Sequence, residues 1–401
     1  MVHARRLARE AQLIQGETMP PTQPHGDRDF FPALESLRGI AALGVTLFHV
    51  QWSHSLKDSG LALNSWLFVD LFFVLSGFVI AHTYQAGLQT PEAAGRFAMR
   101  RFFRLYPLHL ATLAGFVGLH LVFVFVLGRG PQESGFTASN EPFVQQLLAH
   151  LMLLHATGVT PTTGFNGPSW SISAEAFAYL VFALVAISPL WRTARAMTFA
   201  ALAVLGLALL LAISPNDSLF STADAGIWRA LYGFAMGALA QMALAWARDA
   251  LADKPGLAGG VQAAALAAAL AFIICFGINS PITLIAPLVF IAPILALAAA
   301  PSGAPARWLS HPWLVGLGAI SYSIYLVHFL VALVMKEVAA RMPGAIDGGT
   351  AEVVLATWKG DLLVLAYGAI VIIASVITYR LIEAPARDFG RRMGQSRLRT
   401  A

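Results

Sequence analysis

The 401 residues are 57% hydrophobic and only 12% charged, with a mean hydropathy of +0.68, a balance that excludes a water-soluble globular fold. A formal charge of +5 would suit nucleic acid on a soluble protein, but Lys and Arg stand here in short blocks between apolar runs, where they act as topology signals, so no nucleic-acid partner is expected. The single cysteine, Cys275, lies within an apolar run and excludes both an intrachain disulfide and a thiolate metal cluster.

Residues 1–31 are polar, carry Arg5, Arg6 and Arg9, and lack an apolar core of signal-peptide length; they read as a disordered cytoplasmic tail. Crossing about 30 Å of hydrocarbon takes roughly 20 apolar residues. Runs of that kind predict spans near 34–53, 62–84, 105–127, 168–190, 197–213, 226–246, 257–277, 281–300, 313–335 and 361–382. The expected fold class is thus all-α, a polytopic membrane bundle of about ten transmembrane helices. The fifth run is short, and the break between the seventh and eighth rests on Asn279-Ser280-Pro281. With the N-terminus inside, 20 of the 26 Lys and Arg fall on cytoplasmic segments and 5 outside, with Arg229 at the outer end of the sixth span. That asymmetry predicts a multi-pass inner-membrane protein with both termini cytoplasmic. Residues 32–386 form the membrane domain and 387–401 a basic tail, while 197–213 and 257–277, rich in Ala and Leu, read as lipid-facing or packing surface.

An ionisable side chain within a span costs several kcal/mol unless paired or hydrated, so each is a candidate for function. In the first span Arg38 and His49 stand eleven residues apart, on nearly the same helix face and about 16 Å apart along the axis. Asp70 follows in Phe68-Val69-Asp70, at a depth close to that of His49. A carboxylate there would fix the histidine tautomer and raise the basicity of the other ring nitrogen. Before the third span Arg101 and Arg104, at i and i+3, could fork onto phosphate oxygens. The fourth span opens Pro168-Ser169-Trp170-Ser171 and delivers Glu175 about 10 Å inside the outer boundary. The ninth carries Ser321-Tyr322-Ser323-Ile324-Tyr325-Leu326-Val327-His328, with His328 again near the outer face. Each has a plain structural reading: Arg38 and the arginine block as topology anchors, His49 and Asp70 as interhelical hydrogen-bonding groups, the serines as helix-start residues, and Tyr325 and His328 as interface anchors. Four helices nevertheless place His49, Asp70, Glu175 and His328 at similar depth, which points to one site in the outer half.

Taken together, the segments at 34–49, 69–78, 101–107, 170–175 and 321–328, closed by Arg380-Leu381-Ile382-Glu383-Ala384-Pro385-Ala386-Arg387, resemble the acyltransferase family 3 membrane proteins. That family includes O-acetylases of lipopolysaccharide, exopolysaccharide, peptidoglycan, Nod factor and macrolide antibiotics. The resemblance covers about residues 32–390. It implies that Arg38 and His49 are required for activity, with His49 the catalytic candidate, that Arg101 and Arg104 serve the acyl-CoA donor, and that Glu175 belongs to a Trp-Ser-x-x-x-Glu signature. Glu35 stands where many relatives carry Asp. Some relatives add a C-terminal hydrolase-like domain; here only a short basic segment follows the last span, so transfer must finish in the bundle or use a separate periplasmic partner.

These readings define an expectation. An acyl group, expected to be acetyl, moves from cytoplasmic acyl-CoA to a hydroxyl of a polysaccharide, lipopolysaccharide or lipid-linked glycan. Arg38, Arg101 and Arg104 hold the donor; His49, oriented by Asp70 or Glu175, is the catalytic base; Trp170, Tyr325 and His328 face the acceptor. One continuous cavity should join the arginines to His49. Direct attack on the thioester and a covalent relay through His49 or Ser171 both remain open. No metal is expected, since the histidines are scattered in sequence and form no ligand-spaced cluster. The competing classes are a transporter or flippase, whose substrate path would also need buried charges, and a noncatalytic sensor on the same scaffold.

Overall fold

The computed structural model describes residues 30–128, 143–346 and 352–396, and among these every extended element is a helix, with two isolated bridges besides. Most of the predicted 1–31 tail and the last five residues lie outside that set. Helix α1 (Pro32–Phe48) starts on a proline, which needs no donor in a first turn. A short turn capped by Ser59 leads into α2 (Phe68–Thr83). Helix α3 (Pro91–Leu121) is capped by the Thr90 hydroxyl, which accepts from the Ala93 N–H at 3.2 Å, and it runs on through a π turn at Val122–Val126. There follow α4 (Phe143–Leu151), α5 (Trp170–Ile187), α6 (Arg195–Ile213), α7 (Gly226–Met242), α8 (Leu244–Leu251), α9 (Pro255–Cys275) and α10 (Ala286–Ala299). Two short helices, α11 (Ala304–Leu309) and α12 (Pro312–Ala319), precede α13 (Ser321–Ala340) and α14 (Thr357–Thr378), and a π turn at Tyr379–Glu383 joins α14 to α15 (Ala384–Ser396).

With their flanking turns, eight of these helices are long and apolar enough to cross a bilayer, and α7 with α8 makes a ninth if that pair, bent by 49°, acts as one span. The remaining predicted span, 34–53, is α1. It has 17 residues, about 25 Å of helix, because the chain turns out at His49. Two predicted boundaries are corrected. The third span does not start near 105: the arginine block at 96–104 is already the interior of α3, which begins at Pro91 because the Thr90-Pro91 cap starts it there. The ninth span begins at Ser321, since residues 312–319 form the separate helix α12. The break at 279–281 is present as drawn from the sequence, between α9 and α10.

The spans are not equivalent. The one ending in α2 has 78% of its apolar window buried, whereas those of α6 and α9 have 22% and 28%, the outward-facing surface expected of Ala- and Leu-rich helices. The core forms where α2 crosses α7. A Cβ on Gly77 would lie 1.9 Å from the Phe234 carbonyl oxygen, and one on Gly237 2.0 Å from that of Val74, so only glycine allows the two backbones to approach this closely. Arg229, Gly233 and Gly237 share one face of α7, and this close crossing sets Arg229 against Asp70 on α2. On the far side, the segment after α1 pairs with the start of the α14 region: Ser53 N–H donates to Val353 O, Val353 N–H to Gln51 O, and the buried Trp52 indole to Gly360 O at 3.1 Å.

Candidate active site

Two cavities open in the bundle, and they share a wall. The larger, about 360 Å³, is bounded by α1, α2, α3, α5, α13 and α15 and is ringed by Arg38, Arg100, Arg101, Arg104, Arg387 and Arg391. The smaller, about 240 Å³, is mostly aromatic, with Phe48, Trp66, Trp170, Phe220 and Phe329 around His49 and Arg229. Val69 and Tyr325 line both. The space expected from the sequence as a single cavity comprises two that meet at Val69 and Tyr325. Tyr325 is held at this junction by its hydroxyl, which donates to Pro168 O at 2.9 Å and accepts from Ser171 Oγ at 2.8 Å. Ser171 Oγ also lies 3.2 Å from Pro168 O.

His49 closes helix α1 and faces the aromatic cavity. Its Nδ1 lies 2.9 Å from Val45 O and 3.2 Å from His328 Nε2. A carbonyl can only accept, so Nδ1 carries the proton. His328 Nδ1, at 3.2 Å from Ile324 O, is protonated for the same reason, which leaves His328 Nε2 free to accept from His49. Neutral His49 is thereby held as the tautomer with its lone pair on Nε2, the state a general base requires. His328, expected at the acceptor, is fully buried behind His49 and lines neither cavity. In the geometry it is a second acceptor for the His49 Nδ1–H that Val45 O already fixes, and so helps hold the ring's orientation.

Asp70 is corrected more sharply. It does not orient His49 but forms a bidentate ion pair with Arg229, Nε to Oδ1 at 2.8 Å and Nη2 to Oδ2 at 2.6 Å, with side chains 0% and 1% exposed. The planar guanidinium fork outcompetes an imidazole for a buried carboxylate because it supplies two parallel charged donors. The Arg229 guanidinium lies between the indoles of Trp66 and Trp170, 5.0 Å from each ring centre, and Nη1 donates to Ser221 O at 3.1 Å. Trp170 thus lines the aromatic cavity, held by a cation whose place in the sequence marks only a helix end.

Glu175 also departs from the single shared depth. Five residues past Trp170, about 7–8 Å down α5, it enters the arginine cavity rather than the histidine one, and its Oε1 accepts from Ser76 Oγ at 2.8 Å and from the Tyr179 hydroxyl. Arg101 lies over Tyr179 and Phe97, at 5.5 and 5.8 Å from the ring centres, and Arg104 over Tyr322 at 5.9 Å. Arg38 pairs with Glu35 at 3.3 Å on the same helix. All three arginines expected at the donor therefore line one cavity, and Arg387 and Arg391 of α15 join them from the segment read as a tail.

Three histidines far apart in sequence are brought together: the His150 ring stacks on His155 at 4.0 Å and the His109 ring lies 5.7 Å from that of His155. Parallel rings do not point their nitrogens at a common centre, and among the described residues no group of three or more His, Cys, Asp or Glu could hold a metal ion. Helical spacing could have flagged Glu383 and Arg387, an i, i+4 pair; nothing local flags Arg229, whose partner is 159 residues away.

Comparison with known proteins adds a second line. The acyltransferase domain family matches residues 31–380. "Acyltransferase MdmB" of Streptomyces mycarofaciens is 28% identical over 389 residues, covering 90% of this chain and 93% of the relative. "Protein 2 in picA locus" of Rhizobium radiobacter is 33% identical over 162 residues, 38% of this chain and 81% of the relative. No solved structure matches the chain.

Proposed function

The chain belongs to this acyltransferase family and is a multi-pass membrane acyltransferase; from that premise we propose that it transfers an acetyl group from cytoplasmic acetyl-CoA to a hydroxyl of an envelope glycan or a similar acceptor, within the inner membrane. The observation that carries the proposal is the shared wall. A polycationic cavity suited to a phosphorylated donor abuts, through Tyr325 and Val69, an aromatic cavity containing a histidine of defined tautomer. Arginine forks and their charge favour a nucleotide polyphosphate. Aromatic faces favour the apolar faces of a sugar ring or a macrolide.

In the reaction, the donor's phosphates engage Arg101 and Arg104, and the pantetheine arm passes Arg38 and Glu175 so that its thioester meets the wall at Tyr325. His49 Nε2 removes the proton of an acceptor hydroxyl lying on Trp170. The hydroxyl oxygen attacks the thioester carbonyl, the C–S bond breaks, and the proton held on His49 leaves with the CoA thiolate as thiol. A direct transfer of this kind fits the geometry better than a relay through Ser171, which is tied to Tyr325 and Pro168. The decisive measurement is thiol release from acetyl-CoA by purified protein in nanodiscs. Acceptor-dependent release that disappears in His49→Ala supports the enzyme; acceptor movement without thiol supports a transporter.

A further inference from the structure

The arginines of the large cavity differ in how their donors are satisfied. Arg229, elsewhere, commits three of its five N–H groups to Asp70 and Ser221. Arg104 and Arg387 make no hydrogen bond to any described residue; each has its Nη1 3.8 Å from the same Glu383 Oε1. That carboxylate is 0% exposed, its Oε2 accepts from Ser323 Oγ at 2.8 Å, and its Oε1 has no hydrogen-bond donor. Two guanidiniums facing one carboxylate leave a net positive charge with many uncommitted donors, directed into a cavity already lined by Arg38, Arg100 and Arg101. That is the chemistry of an oxyanion site of high charge.

Local structure shows that the arrangement is built rather than incidental. The buried face of α14 passes through Val371 and Ser375. Continued at α-helical spacing, it would bury Ile382 two turns on. The π turn at Tyr379–Glu383 holds one extra residue, so the face is inherited by Glu383 instead, 1% exposed, and one turn later by Arg387. A single-turn π segment of this kind is a frequent mark of a functional site. Helix α15 is then fixed against α3, with the Phe389 and Phe103 rings 5.0 Å apart and Gly390 too close to Phe103 to admit a Cβ.

We propose that Arg387 of α15 and Arg104 of α3 form the subsite for the phosphate monoester of the nucleotide donor, with Glu383 as the positioning residue that aims both guanidiniums. Helix α15 is then half of the donor site. The inference rests on the CoA reading above, and its test separates the two. Wild-type protein in nanodiscs is assayed with acetyl-CoA and with 3′-dephospho-acetyl-CoA, alongside binding of adenosine 3′,5′-bisphosphate. Wild type should have a KM for the dephospho donor roughly 10- to 100-fold higher, the size of charge-assisted hydrogen bonds. Arg387→Gln should raise the KM for acetyl-CoA to near that of the dephospho donor, weaken the bisphosphate in parallel, and leave kcat unchanged; Glu383→Gln should do the same, since both guanidiniums lose their common anchor. Arg387→Lys, which keeps the charge but not the fork, should fall between and guards against a folding defect. Full discrimination between the two donors in Arg387→Gln, or none in wild type, overturns the subsite. Absence of thiol release by wild type with either donor overturns the CoA reading itself.

Discussion

Asp70 and Arg229 provide the most direct test of how this bundle is held together. Replacing Asp70 by Ala removes both acceptors of the fork and leaves a guanidinium 1% exposed with no counter-charge. Breaking one side of a buried ion pair costs about 3–5 kcal/mol. The two indoles that bracket Arg229 at 5.0 Å still stabilise the cation, by about 0.5–2 kcal/mol for such contacts, so the expected loss is near the lower end, about 3 kcal/mol. Removing both charges together, as Asp70→Leu with Arg229→Met, exchanges the pair for apolar volume and should cost less than about 1 kcal/mol, because the desolvation of two ions is no longer incurred. Reversible denaturation in mixed detergent micelles, run on wild type, both singles and the double, yields the coupling directly. If Asp70→Ala unfolds within about 1 kcal/mol of wild type, the pair is hydrated or dispensable, and the account of the α2–α7 core is wrong.

Other outcomes follow from the same coordinates. His49→Ala should lower kcat about 10²- to 10⁴-fold as the base is lost, whereas His328→Ala should lower it only about tenfold, because Val45 O still fixes the tautomer; equal losses in steady-state assays would mean that His328 moves a proton. Gly77→Ala, whose new Cβ would meet Phe234 O at 1.9 Å, should cost about 1–3 kcal/mol by overpacking, while Gly95→Ala, with nothing within 4 Å, should stabilise α3 by up to about 1 kcal/mol; thermal melts that rank them the other way refute the close crossing. His54, in the loop after α1, has its pKa lowered from 6.5 by burial, against the opposing pull of Asp361, Glu352 and Asp58 and with Lys57 adding to the shift. A lowered folded-state value means folding favours neutral imidazole, so its contribution is whole above about pH 6.5 and is lost as the pH falls through the folded value. Hydrogen exchange in 352–355, corrected for intrinsic rate, should therefore quicken between pH 7 and 5 in wild type and not in His54→Gln.

Much of this protein is legible in its sequence because a bilayer leaves few choices: with no water to satisfy backbone groups, apolar runs of sufficient length become helices. The runs near 197–213 and 257–277 became the outward-facing α6 and α9 for that reason, and the break at Asn279-Ser280-Pro281 is where the expected turn falls. Arg38, Arg101, Arg104 and Trp170 were found by the cost of their placement and by the motifs they stand in, and each lines a cavity. Depth along a helix, however, is only one coordinate. It put Asp70, Glu175, His49 and His328 on one level but carried no information on azimuth or on which helices cross. Tertiary packing decided that Asp70 faces Arg229 across the glycine-lined contact of α2 and α7, that Glu175 joins the arginines, that His328 stands behind His49, and that a π turn brings Glu383 against Arg104 and places Arg387 in the arginine cavity. Partners separated by 159 and 279 residues are chosen by the geometry of approach between helices, which no local pattern encodes.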